Sequence, residues 1–186
     1  IDTHYHGVKL RSSGHGFCGL ARKQLLEIFH RRCRELGVEL VFEREIADPK
    51  LLEGADLVLA ADGLNSWLRS RHEAEFKPKL DWRKCHFTWL GTTLPLEAFT
   101  FIFIENEHGL FQVHAYPFDE RTSTFIVECR EEVWQRAGLD RADEAATVAY
   151  LEDLFREDLR GHRLLTNRSI WRTFPTVRCA SWRHGN

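Results

Sequence analysis

The stretch "LVLAADGLNSWLR" (residues 57–69) places an acid, a glycine, a serine and an arginine where an apolar run gives way to a helix. Asp62 ends the run, and Gly63 lets backbone approach a ligand without an intervening side chain. Ser66 is a suitable N-cap, so free N–H groups and the positive helix end would face one point. Arg69 can pair with Asp62 or with a phosphate. The pattern predicts either a ligand-binding strand edge or a plain turn with a structural Asp–Arg pair.

A second group of candidates lies on two consecutive strands, "AFTFIFIENE" and "GLFQVHAYPF". His114 and Tyr116 alternate with apolar residues and therefore share one face of their strand. Phe101 and Phe103 alternate in the same way on the preceding strand. We predict that His114 and Tyr116 donate hydrogen bonds to a ligand while a phenylalanine supplies apolar contact. The alternative is that both polar side chains only form hydrogen bonds across the sheet.

Three other motifs resemble known sites less closely. "GHGFCG" (residues 14–19) fits G-x-G-x-x-G, and Glu43 lies about where a ribose-binding acid is expected. The preceding segment is too polar for a buried strand, so we favour a glycine-rich entry into a helix. His4 and His6 form an H-x-H, but without further ligands at suitable spacing we predict no metal site. Cys18 is one residue short of a nucleophile elbow and is expected to be inert.

The elements before Pro78 indicate an α/β layer. Apolar residues recur at helical spacing from Cys18 to Leu36, and Gly37 is a natural stop. "VELVFEREI" alternates apolar and acidic residues, which predicts a strand with one solvent-facing side. "ADLVLAADG" does not alternate, so it is expected to be a strand buried on both faces, as in a parallel sheet.

After Pro78 the chain is typical of an antiparallel sheet. Four consecutive segments are rich in phenylalanine and β-branched residues, which predicts strands. Short turn signals at residues 106–109 and 119–123 join the later ones, which predicts an antiparallel meander. Residues 142–159 are predicted to form a helix with one apolar stripe and with Asp140 or Asp143 as its cap. A last strand is expected over roughly residues 170–182. The predicted fold is therefore mixed α/β, with an antiparallel sheet and a packed helix.

Composition excludes several classes of function. The 186 residues carry a formal net charge of -2, so neither nucleic acid nor a membrane surface is an expected partner. No apolar run is long enough to span a membrane. Five scattered cysteines without C-x-x-C indicate reduced thiols and a cytoplasmic location. The absence of methionine and the turn-like ending "SWRHGN" lead us to expect an excerpt of a longer protein.

The same motifs carry a resemblance to a known family. "ADLVLAADGLNSWLR" resembles the Asp-Gly motif of the flavin-dependent aromatic hydroxylases, the FAD monooxygenases of the p-hydroxybenzoate hydroxylase type. "FCGLARKQLLEIF" resembles the family helix whose R-x-x-L start brings an arginine, here Arg22, to the FAD. "HGFCGLARKQLL", "FTWLGTT" and "HAYPFDERTSTFIVE" are similar to the branch acting on aryl-CoA thioesters, which includes salicylyl-CoA 5-hydroxylase and 2-aminobenzoyl-CoA monooxygenase.

The resemblance implies an oxidoreductase of aromatic compound catabolism. It implies FAD as cofactor, NAD(P)H as co-substrate, O2, and a small aromatic substrate, including CoA-linked ones, hydroxylated through a flavin hydroperoxide. FAD would be bound by Arg22, Asp62, Gly63, Ser66 and Arg69. No catalytic side chain is predicted, because the cofactor performs the difficult step.

The resemblance also implies an organisation of the chain. Residues 1–80 are expected to be a partial FAD-binding region, 81–180 the substrate-binding region, and 181–186 the return toward the FAD-binding region. The family's first G-x-G-x-x-G unit and its later Gly-Asp motif are missing. Alternatives are a non-catalytic ligand- or partner-binding module, or an epoxidase, halogenase or reductase of the same superfamily.

Overall fold

The computed structural model describes residues 1–185, which fall into two compact units. The first, called the sheet unit, consists of Ile1–Phe29 and Lys84–Thr173. The second, called the hairpin unit, consists of His30–Arg83 and the described residues from Phe174 onward. The N-terminal residues thus belong with the large sheet, whereas the assignment of regions to FAD and substrate stays a prediction.

The described residues form a mixed α/β fold, as the sequence predicts. The strands are β1 (Asp2–Tyr5), β2 (Val8–Arg11), β3 (Lys79–Trp82), β4 (Cys85–Thr92), β5 (Thr100–Asn106), β6 (Gly109–Pro117), β7 (Ser123–Arg130), β8 (Leu164–Leu165) and β9 (Pro175–Arg178). The helices are α1 (Arg22–Glu35), α2 (Trp67–Arg71), α3 (Glu73–Phe76), α4 (Glu131–Arg136), α5 (Glu144–Leu154) and α6 (Arg156–Leu159), with a 3-10 helix at Pro49–Leu52.

Seven strands of the sheet unit form one sheet in the order β2-β1-β5-β6-β7-β4-β8. The predicted meander is confirmed for the later strands, because β5, β6 and β7 pair antiparallel in sequence order. The first predicted strand of the group, β4, pairs with β7. The neighbouring strands β1 and β5 run parallel, so the complete sheet is mixed. In the β5–β6 register Phe101 lies opposite His114.

The core of the sheet unit lies on one face of this sheet. Phe111, Val113 and Phe125 are fully buried there together with Leu151 and Phe155 of the helical layer. The rings of Phe125 and Phe155 meet edge to face at 5.5 Å, an arrangement that aromatic pairs prefer. The predicted apolar stripe therefore packs against the sheet, as expected.

The predicted helix over residues 142–159 is observed as two helices, α5 and α6, which are separated at Phe155. Asp143 is the N-cap of α5, since its carboxylate accepts a hydrogen bond from the backbone N–H of Ala146 at 2.8 Å. Of the two proposed caps, the structure thus selects Asp143.

Two strand predictions in the hairpin unit are wrong. Residues 38–46 and 57–61 form no strand, and Leu59 is 82% exposed although we expected burial on both faces. Within the described residues neither segment joins a sheet, so both lack the neighbouring strands that a β-strand needs. The only sheet that the described part of this unit contains is the antiparallel pair of β3 and β9, and β9 is shorter than the predicted last strand.

Helix α1 ends close to its predicted stop, at Glu35, and Gly37 has a left-handed φ of 73°. None of its residues is buried, so its apolar stripe is exposed. No helix within residues 1–185 combines the length and the apolar character needed to cross a membrane.

Candidate functional site

The Asp62–Gly63 turn lies at the start of α2 in the hairpin unit. Ser66 is the N-cap, as predicted: its buried hydroxyl accepts a hydrogen bond from the backbone N–H of Arg69 at 3.0 Å. Gly63 has a left-handed φ of 81°, which a residue with a side chain rarely adopts. The glycine is therefore required by the backbone of the turn, whether or not a ligand binds.

The side chain of Arg69 stabilises this turn through hydrogen bonds to its backbone. Its guanidinium donates hydrogen bonds to the carbonyl oxygens of Gly63, at 3.2 Å, and of Leu64. Among the described residues it forms no ion pair with Asp62, so the structural Asp–Arg pair is not observed. The arginine positions the backbone next to Asp62, a role that its spacing in the sequence did not reveal.

The carboxylate of Asp62 is held in its ionised form. Partial burial alone would raise its pKa, but hydrogen bonds from the Ser66 side chain and from backbone N–H groups outweigh burial and lower the pKa. One of these donors is the N–H of Leu68, 3.5 Å from the carboxylate. At neutral pH Asp62 thus offers charged acceptor oxygens to a ligand.

A cavity of about 1340 Å³ opens beside this turn. Four predicted cofactor-binding residues line it together: Asp62, Gly63, Ser66 and Arg69. Residues of β9 and of the segment after it also line the cavity. The cavity exceeds the roughly 300–1,000 Å³ typical of sites for drug-sized ligands, so it has room for a large ligand.

Arg22, the fifth predicted cofactor residue, is an exposed residue at the start of α1 and belongs to the sheet unit. Its convergence with Asp62 on one cofactor stays a prediction.

The four predicted substrate residues share the sheet face opposite the core. Phe101, Phe103, His114 and Tyr116 are half-buried, while the alternate residues of both strands face the core. The rings of Phe101 and His114 lie 5.2 Å apart, edge to face. We call this surface, with Phe17 and Phe99, the aromatic face.

The polar groups of the aromatic face are available to a ligand. Within the described residues, neither the imidazole of His114 nor the hydroxyl of Tyr116 has a hydrogen-bond partner. The cross-strand hydrogen bond on this face joins Gln112 and Glu128, at 2.7 Å, instead. The alternative in which His114 and Tyr116 bond across the sheet is therefore not observed.

The "GHGFCG" segment packs against the aromatic face, a contact that no sequence pattern predicted. The ring of Phe17 contacts Phe99 at 5.1 Å and Tyr116 at 5.3 Å. A Cβ on Gly19 would lie 2.2 Å from the carbonyl oxygen of Pro117, so only glycine fits there. A close approach between two backbone segments explains this glycine without a dinucleotide.

A second cavity, of about 720 Å³, lies within the sheet unit beside this segment. Phe17, Phe99, Phe101 and Phe118 give it an aromatic lining, and Cys18 also faces it. Its volume falls in the range of pockets for small organic ligands.

His4 and His6, the two histidines of the H-x-H motif, lie in different environments. His4 is half-buried and its Nδ1 lies 2.9 Å from the carboxylate of Asp158, whereas His6 is exposed. A different group, His72, Glu75 and His184, is brought together in the hairpin unit. Sequence spacing gave no signal for this group, because His184 is far from the other two along the chain.

Comparisons with known proteins place these features in context. No protein-family model matches the chain. It is 40% identical, over its whole length, to salicyloyl-CoA 5-hydroxylase of a Streptomyces species. It is 32% identical over 94% of its length to protodeoxyviolaceinate monooxygenase of Chromobacterium violaceum. It is 34% identical over its whole length to 3-hydroxy-4-methyl-anthranilyl-[aryl-carrier protein] 5-monooxygenase of Streptosporangium sibiricum. The chain spans 37% of the first relative and 48% of each of the others.

Proposed function

We propose that this chain, a homologue of part of three monooxygenases, is the central portion of an FAD- and NAD(P)H-dependent aromatic hydroxylase. The observation that carries the proposal is the 40% identity to a salicyloyl-CoA hydroxylase along the entire chain. An aryl thioester is accordingly the proposed substrate class, since two of the relatives are named for CoA-linked or carrier-linked aromatic substrates.

The cavity beside the Asp62 turn fits part of an FAD site. The carboxylate of Asp62 can accept hydrogen bonds from ribose hydroxyls, and a ligand can approach Gly63 closely because its position is open. Arg69 holds the turn in place and thereby fixes the direction of both groups. When bound, FAD supplies the oxygen-transfer chemistry, and the protein supplies position and exclusion of water.

The aromatic face fits a planar ring. Phe99, Phe101 and Phe17 offer apolar surface, and His114 and Tyr116 have free polar groups that can bind a hydroxyl, an amine or a thioester carbonyl. We assign these residues to binding and orienting the substrate, with no side chain assigned to the reaction itself.

Exposed apolar surface supports the proposal that more of the protein covers the hairpin unit. Val38, Val41, Phe42, Leu57 and Leu59 are each about half exposed or more. So many exposed apolar side chains in one unit indicate contact with other protein or with a ligand.

The cofactor assignment is tested by replacing Asp62 in the full-length protein. Asp62→Ala removes charged acceptor oxygens at the cavity, and a hydrogen bond to a charged group contributes about 1.5–3 kcal/mol. We therefore expect FAD to bind about 10- to 100-fold more weakly, measured by flavin fluorescence during titration of the apoprotein.

Asp81→Ala is the matched control, because Asp81 is an exposed acid in the same unit that does not line the cavity. Thermal unfolding of both variants should show that the fold is retained. FAD affinity equal to that of the parent in Asp62→Ala would refute the assignment.

A further inference from the structure

We propose that His72, Glu75 and His184 form a binding site for a divalent transition-metal ion such as Zn²⁺. One ligand atom from each residue lies within 4.8 Å of the other two. The proposal rests on these side chains alone and is independent of the flavin proposal.

The local structure brings the first two ligands to one side. His72 lies at the junction of α2 and α3, and Glu75 follows three residues later on α3. Residues three apart on a helical turn project in the same direction. The Nδ1 of His72 accordingly lies 4.0 Å from the carboxylate of Glu75.

The third ligand comes from the last described residues of the hairpin unit. The backbone N–H of Ala180 donates to the carbonyl oxygen of Phe76 at 2.8 Å, which holds this segment on α3. His184 then lies with its ring 4.6 Å from that of His72 and 6.3 Å from that of Phe76. The position of the His184 imidazole is therefore fixed by the backbone hydrogen bond of its segment and by its contacts with the rings of His72 and Phe76.

The donor set suits zinc. Two imidazole nitrogens and one carboxylate oxygen are ordinary zinc ligands with bonds of about 2.0–2.2 Å, which sets tetrahedral ligand atoms roughly 3.4 Å apart. From separations of up to 4.8 Å, the three atoms must therefore approach one another by up to about 1.4 Å, a change within reach of side-chain rotation. His72 is half-buried whereas Glu75 and His184 are exposed, so the site is open to solvent on one side. Three protein ligands leave a fourth position for water.

An ion in this site would join the C-terminal segment to α2 and α3. Both histidines also line the cavity beside Asp62, so the ion would lie at its edge. Because the ion binds the folded arrangement and not separated ligands, its binding should raise the thermal stability of the protein.

The experiment titrates metal-free full-length protein with Zn²⁺ in a calorimeter and repeats the titration with Co²⁺ while visible absorption is recorded. We expect one equivalent to bind, a tetrahedral Co²⁺ spectrum, and a rise in melting temperature with Zn²⁺. His184→Ala and Glu75→Gln should each weaken binding by at least roughly tenfold. His184→Ala changes an exposed side chain, so its fold should be retained.

Glu73→Gln is the control, since Glu73 is an exposed acid on the same short helix but outside the cluster. It should bind Zn²⁺ like the parent. Absence of binding in the parent would overturn the proposal. Binding that survives both His72→Ala and His184→Ala would also overturn it, because the ion would then lie elsewhere.

Discussion

Gly19→Ala should lower the free energy of unfolding of the protein by about 1–3 kcal/mol, the cost of forcing an extra group into a packed site. The new Cβ would lie 2.2 Å from the carbonyl oxygen of Pro117 and 3.4 Å from Cα of Phe118. Both are backbone atoms, which cannot rotate away as a flexible side chain does. In Gly19→Ala the "GHGFCG" segment must therefore move away from Pro117 at the end of β6.

Gly16→Ala is the matched control in this experiment. Gly16 belongs to the same segment and has no left-handed φ, and a Cβ at this position would meet nothing within 4 Å. Chemical denaturation should show parent-like stability for Gly16→Ala and a clear loss for Gly19→Ala. Equal stability of both variants would show that the two backbone segments do not approach closely.

The second large effect is expected on the aromatic face. His114→Ala and Tyr116→Phe in the full-length enzyme should raise the substrate KM about tenfold or uncouple NAD(P)H oxidation from hydroxylation, because each removes a hydrogen-bonding group worth about 1–1.5 kcal/mol. Tyr116→Phe isolates the hydrogen bond better, since it keeps the ring that contacts Phe17 and Phe99 and removes only the hydroxyl.

Leu110→Ala serves as the control for these variants. Leu110 lies at the other end of β6, on the same face, and is 44% exposed. Flavin content should equal that of the parent in all three variants, and KM and coupling should change only in the first two. Parent-like kinetics for both His114→Ala and Tyr116→Phe would place the substrate elsewhere.

The sequence predicts the structure well where the spacing of apolar residues within one element also decides which side chains are buried. Alternation along β5 and β6 separates the core residues from the aromatic face, because successive side chains of a strand point to opposite sides. The caps Ser66 and Asp143 were predictable for a similar reason, since each bonds to an N–H group three residues ahead.

Features that depend on distant parts of the chain were not predictable in this way. Residues 57–61 have the composition of a buried strand, yet burial requires neighbouring strands, which the described residues do not provide. The contact of Phe17 with Tyr116 and the meeting of His184 with His72 join residues far apart in sequence. Such contacts follow from the tertiary fold and leave no periodic signal.

Transfer of one oxygen atom from O2 to an aromatic thioester tests the central claim most directly. The full-length protein, loaded with FAD, would be incubated with NADH or NADPH, salicyloyl-CoA and O2 labelled with heavy oxygen, and the product analysed by mass spectrometry. A hydroxylated aryl-CoA carrying one heavy oxygen atom, formed only when the reduced nicotinamide is present, is the expected result. Unchanged thioesters across a panel of aryl-CoA substrates would contradict the proposed substrate class, and a hydroxylated product without the label would contradict the assignment as an aromatic monooxygenase.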